Sequence, residues 1–185
     1  MVLYVESDAS YLLSESKARS RVAGFHYLSD KRTNLQDPNT PPPPFNGAIS
    51  VPCKVLKAVL ASVAETELAG LFINGQEAVP ERITLEELGH PQGPTPMVTD
   101  NKVGNGIANE TIKQKRSKAM DMRFYWIRDR VRQGQFLIYW RPGETNRADY
   151  FTKHHPAKHH RRMRPVYLHT PTSNRFAPLA DAVAE

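Results

Sequence analysis

The chain has one cysteine, Cys53. A single thiol excludes an intramolecular disulfide and any cysteine-cluster zinc site, and it fits a reducing compartment. Long apolar runs are missing as well: no stretch approaches the ~20 residues that a membrane span requires. The first residues, Val2-Leu3-Tyr4-Val5-Glu6, lack the basic start and apolar run of a signal peptide. With no targeting signal, the chain is expected inside the cell, in the cytoplasm. Ser10, Ser14, Ser16 and Ser20 are plentiful near the start, but no G-x-S-x-G frame makes any of them a nucleophile. There is no internal repeat. Apolar residues, at 39%, are few for a compact domain, which points to a globular body with polar extensions.

What is present is length and positive charge. The 185 residues suit one domain with a tail. A net charge of +6 favours a polyanionic partner such as nucleic acid.

Hydrophobic patterning predicts strands over residues 1–7, 21–28, 47–51, 97–99 and 135–140. It predicts helices over 58–79, 80–88, 101–108, 118–131 and 146–153, with Pro80 ending one helix and starting the next. Residues 30–46, which hold the run Pro41-Pro42-Pro43-Pro44, read as a stiff surface loop rather than a polyproline ligand. The basic, proline-broken segment 156–185 reads as a loosely ordered tail on a 1–155 domain. Three leading strands followed by alternating helices and strands imply an α/β fold, a mixed sheet with helices on its faces.

Four carboxylates stand out: Asp8 at the end of the first strand, Glu67 on the long helix, Asp100 after the fourth strand, and Asp149 on the last helix. At 100° per residue, Glu67 falls inside the apolar stripe of Leu60, Val63, Ala64, Leu68, Leu71 and Phe72, whereas Glu65 falls off it. A carboxylate in a core-facing stripe costs several kcal/mol unless something pairs it. A divalent cation is one such partner. Three or four convergent carboxylates can hold two Mg²⁺ ions beside a phosphodiester. Taken singly, each Asp also has an ordinary reading as a turn or helix-start residue.

The motifs around these acids resemble the ribonuclease H domain of copia-type LTR retrotransposon polyproteins. The resembling segments are Ser7-Asp8-Ala9-Ser10-Tyr11, Ser62-Val63-Ala64-Glu65-Thr66-Glu67-Leu68, Thr99-Asp100-Asn101, the helix running from Ala119 to Arg128, and Asn146-Arg147-Ala148-Asp149-Tyr150-Phe151-Thr152-Lys153. The resemblance implies a ribonuclease H-like fold, a five-stranded mixed sheet whose second strand is antiparallel. It implies an endonuclease, a hydrolase of the RNA strand of RNA–DNA hybrids in reverse transcription, with two Mg²⁺ ions (or Mn²⁺) as cofactors. Asp8, Glu67, Asp100 and Asp149 then become the catalytic metal ligands, Asp8 bridging both ions and Asp149 near the one that activates water. The chain departs from many cellular ribonucleases H in having no histidine over residues 141–145. No polymerase or integrase signature is present, so the chain is expected to be part of a longer polyprotein or a gene derived from one, with a reverse transcriptase as partner. A catalytically inactive nucleic-acid-binding remnant and an integrase-like strand-transfer enzyme remain as alternatives.

Hybrids are gripped through phosphates. The candidate contacts are Lys115, Arg116, Lys118 and Arg123, with Arg161 and Arg162 in the late run Lys158-His159-His160-Arg161-Arg162-Met163-Arg164. His154, His155, His159 and His160 lie among arginines with no cysteine beside them, which argues against a zinc tract. Trp126 and Trp140 are expected in or near the core.

Overall fold

The computed structural model describes residues 1–14, 19–37, 39–45, 47–57, 59–112 and 121–168. Lys115, Arg116 and Lys118 lie outside them, as do residues 169–185 of the expected tail.

The elements run β1 (Val2–Ser14), β2 (Arg19–Ser29), β3 (Ala48–Ser50), β4 (Cys53–Val55), α1 (Val63–Glu87), β5 (Thr95–Thr99), α2 (Lys102–Ala108), α3 (Asp121–Arg132), β6 (Phe136–Trp140), a 3-10 turn (Gly143–Thr145), α4 (Asp149–Thr152) and α5 (Ala157–Tyr167). The sheet order is β3-β2-β1-β5-β6, with β4 also on β2. β2 is antiparallel to β1, and β5 and β6 continue parallel to β1. The expected third strand is real but split. β3 and β4 both pair β2, and Pro52, which cannot donate to a ladder, sits between them with its carbonyl accepting from Gly24 N at 2.8 Å.

Alternation along β1 sorts the two faces. Leu3, Val5 and Ala9 join a core built with Leu68, Leu71 and Ala78 of α1 and Phe124 and Ile127 of α3. Tyr4 joins Phe25, Tyr27, Val98 and Tyr139 in a second core on the opposite face. No helix of the described residues is long and apolar enough to cross a membrane.

Four expectations are corrected. The long helix starts at Val63, not at 58, because Ser62 caps it: Glu65 N donates to Ser62 Oγ (3.2 Å) while Ala61 N donates to Glu65 Oε2 (2.9 Å). It also runs straight through Pro80. The carbonyl that loses its partner belongs to Gln76, one turn earlier and exposed, so water can satisfy it. The loop over residues 30–46 is more than a surface connection, since Leu35 and Phe45 pack into the second core. Finally, residues 157–167, read as part of a loose tail, form α5. Tyr167 holds that helix down, packing against Phe25 and Phe151 and donating to Arg147 O at 2.8 Å. The basic composition concealed an aromatic anchor.

Candidate active site

Asp8 shares its face of β1 with Tyr4 and Glu6 and is 1% exposed. Glu67, one turn into α1, is 4% exposed. α1 can approach β1 this closely because residue 70 is glycine: a Cβ there would lie 3.1 Å from Ser7 Oγ and 3.6 Å from Asp8 O. Asp100 follows β5 at a bend. Its carbonyl accepts from Trp140 Nε1 (2.8 Å), and the next residue, Asn101, caps α2. Gly143 presses on Asp100, since a Cβ there would stand 2.7 Å from Asp100 Oδ2. These three elements bring carboxylate oxygens of Asp8, Glu67 and Asp100 all within 4.8 Å of one another.

Electrostatics follow from that crowding. Burial, then the Asp8 and Asp100 charges, push the Glu67 carboxyl up to about 9. Burial also raises Asp8, offset in part by the Thr152 hydroxyl and the Lys153 ammonium. Glu67 Oε2 is buried and has no hydrogen-bond partner.

These residues fit a divalent cation. The donors are all carboxylate oxygens, as a hard cation such as Mg²⁺ or Mn²⁺ requires, and Glu67 keeps one buried oxygen without a hydrogen-bond partner. A cation there would offset the burial and the Asp8 and Asp100 charges that lift the Glu67 carboxyl.

Asp149 stands outside that three-acid group. It opens α4, and its carboxylate accepts from Lys153 one turn later. The segment before it is tied to β1 residue by residue. Asn146 Nδ2 donates to Ser7 O (2.8 Å), Arg147 N donates to Glu6 Oε2 (2.5 Å), and the Arg147 guanidinium pairs with Glu6 in the interior. Thr152 Oγ1 then donates to Asp8 Oδ2.

No family model matches the chain. Among curated proteins it is similar to the retrovirus-related Pol polyprotein from transposon TNT 1-94 of Nicotiana tabacum, 29% identical over 107 residues. Those residues are 58% of this chain, which matches only 8% of that polyprotein's length. Among solved structures, the N-terminal RNase H domain of Rv2228c from Mycobacterium tuberculosis superposes with a TM-score of 0.56 at 14% identity, over 82% of this chain and 90% of that one. LC11-RNase H1, crystallised with an RNA/DNA hybrid, gives 0.55 at 10% identity, over 80% and 92%. The chain has the ribonuclease H fold.

The expected fold class is therefore borne out: a mixed sheet with an antiparallel second strand and helices on its faces. On this fold Asp8, Glu67 and Asp100 come together, and Asp149 faces Lys153 instead. The proposed nucleic-acid residues do not form one described patch. Arg123 is on α3, 5.8 Å from the Phe72 ring and on the α1 face of the sheet, whereas Arg161 and Arg162 are exposed on α5 at the opposite face.

Sequence reasoning missed Thr152 and Lys153, the hydroxyl and ammonium that touch Asp8 and Asp149. The i,i+4 spacing of Asp149 and Lys153 was the available signal. It also missed Glu6, whose pairing with Arg147 spans 141 positions and leaves no local trace.

Proposed function

We propose that this chain is a metal-dependent endonuclease of copia-type ribonuclease H character, hydrolysing the RNA strand of RNA–DNA hybrids during retrotransposon reverse transcription in the cytoplasm. The observation that carries this reading is the convergence of Asp8, Glu67 and Asp100, with one Glu67 oxygen buried and unpartnered. The similarity to a transposon Pol polyprotein supports the retrotransposon context, with a reverse transcriptase region as partner. The hybrid bound by LC11-RNase H1, a structure of the same fold, supports the substrate class.

In this reading Asp8, Glu67, Asp100 and Asp149 hold two Mg²⁺ ions, with Mn²⁺ as a substitute. Such ions supply Lewis-acid stabilisation of phosphoryl charge and a more acidic water. The protein's own groups set the stage for hydrolysis, in which water adds at phosphorus and the bond to one ribose oxygen breaks. Thr152 fixes the orientation of Asp8, α1 presents Glu67 one turn from its start, and Lys153 would have to yield Asp149 to an incoming cation. Asn146 and Arg147 keep α4 seated on β1, so the acids stay close despite their repulsion.

The Asp149–Lys153 pair favours a second reading, a nucleic-acid-binding remnant whose fourth acid is no longer available. End-labelled RNA–DNA hybrid in Mg²⁺ separates the two. Cleavage of the RNA strand only, abolished by EDTA and by Asp100→Asn, is the expected result. A folded wild-type protein that binds hybrid but cuts nothing in Mg²⁺ or Mn²⁺ would establish the remnant.

A further inference from the structure

α5 is strongly one-sided. At 100° per residue, His159, Met163, Val166 and Tyr167 share an arc of roughly 100°, and Lys158, Arg161, Arg162 and Arg164 occupy the opposite arc of roughly 160°. The first four are partly buried and the four cations are exposed. No Asp or Glu occurs between Asp149 and Asp181. Among the described residues, no carboxylate pairs with any of these cations. Four like charges on 11 residues repel one another, and nothing described within the chain offsets them.

The helix is nonetheless held in one position by a ladder of rings. Tyr167 stacks on Tyr150 at 4.7 Å between centroids, Tyr150 on His155 at 5.2 Å, and His155 on His159 at 4.1 Å. The Tyr150 hydroxyl lies 2.7 Å from His160 Nδ1. Tyr150 belongs to α4, the same helix whose Thr152 bonds Asp8. The basic face is thereby fixed with respect to the acid cluster and begins a few residues from Lys153.

We infer that the outer face of α5 is a phosphate-binding rail that grips the backbone of the nucleic acid lying in the acidic site. This rests on the hydrolase reading for the identity of that nucleic acid. A rail of ~16 Å fits the length of an 11-residue helix, and exposed arginines and lysines suit phosphates without reading sequence. A bound polyanion would offset the repulsion among the four cations. The acids hold the reacting phosphate and α5 holds flanking ones, so grip and chemistry are carried by different residues.

The test uses the full chain in EDTA, with a fluorescently labelled RNA–DNA hybrid followed by anisotropy between about 50 and 200 mM salt. Arg161→Ser/Arg162→Ser should lower the slope of log K against log salt by about 1.5–2 and weaken binding roughly tenfold near 100 mM. Arg161→Lys/Arg162→Lys keeps the charge and should keep most of the slope, which separates charge from folding. Thermal melting should be the same for all three proteins. Unchanged slope and affinity in the serine variant would overturn the rail. Equally tight binding of polyglutamate would also overturn it, because α5 would then be a general surface for acidic polymers. Cleavage of the same hybrid in Mg²⁺ is scored separately. Arg161- and Arg162-dependent binding without cleavage removes the hydrolase and leaves the rail standing. Cleavage by protein whose binding ignores both arginines does the reverse.

Discussion

Replacing Glu67 by glutamine should make the metal-free protein more stable, an unusual outcome for a change at a buried polar position. The Glu67 carboxyl is pushed up to about 9 by burial and by the Asp8 and Asp100 charges, against about 4.3 in an unfolded chain. Between those values the native state holds a proton that the unfolded state has lost. Stability must therefore fall as pH rises through the window from about 4.5 to 9. Integrated across it, the loss is about 1 kcal/mol at pH 5 and about 4 kcal/mol at pH 7. Glutamine carries no such penalty and matches the shape of the neutral acid. In EDTA at pH 7 the variant should melt roughly 8–16 °C above wild type, the shift that about 4 kcal/mol produces in a domain of this size. The gap should shrink towards pH 5.

Divalent cations should narrow that gap. Wild type gains about 2.7 kcal/mol when metal reaches 100 times its Kd, while Glu67→Gln, one ligand short, gains much less. Melting in EDTA and in Mg²⁺ across pH 5–9 is the assay. A variant no more stable than wild type in EDTA at pH 8, or a gap that does not grow with pH, would refute the claim that Glu67 is held against its own ionisation.

Two further outcomes follow from the packing around the acids. Arg147→Met leaves Glu6, whose side chain is 6% exposed, without its buried partner; urea unfolding should show a loss of roughly 3–5 kcal/mol, partly restored by adding Glu6→Gln, and a loss below 1 kcal/mol would mean the pair is dispensable. Lys153→Met removes the ammonium that pairs with Asp149 and offsets charge on Asp8 and Glu67; calorimetric titration should show several-fold tighter Mg²⁺ or Mn²⁺ binding, since a resident cation no longer competes, and unchanged binding would show that Lys153 stands clear of the metal position.

The acids of the three-residue group were legible because each announces itself locally. Asp8 ends an apolar strand, Glu67 interrupts an apolar helical stripe, and Asp100 follows a short buried run. The stripe itself was only partly right: Val63 is 51% exposed, and the buried residues start at Thr66. Glu67 is buried because it faces β1 across Gly70, not because its neighbours on both turns are buried. Pro80 was read as a break since the local cost of proline is clear in a sequence, whereas the exposure of Gln76 that makes it bearable is tertiary. α5 was hidden for the opposite reason. Its anchoring depends on Tyr167 meeting Phe25, Tyr150 and Phe151, and only Tyr150 and Phe151 are near it in the chain.

The same tertiary logic explains how such a site can exist in a folded protein at all. Three carboxylates within 4.8 Å oppose one another, so the elements carrying them tend to separate unless other contacts prevent it. Those contacts lie on three successive residues of β1. Glu6 takes the Arg147 guanidinium and backbone N–H, Ser7 O takes the Asn146 amide, and Asp8 takes the Thr152 hydroxyl. On the other side of the strand, Asn74 Nδ2 donates to Ser7 Oγ at 2.9 Å and to Ala23 O at 3.0 Å, locking α1 to the β1–β2 pair one helical stretch beyond Glu67. Apart from the Thr152–Asp8 bond, the two helices that flank Asp8 are thus fastened to the strand that carries it by groups that do not ionise or are already paired. Repulsion is thereby concentrated at the acids, where a bound cation would relieve it.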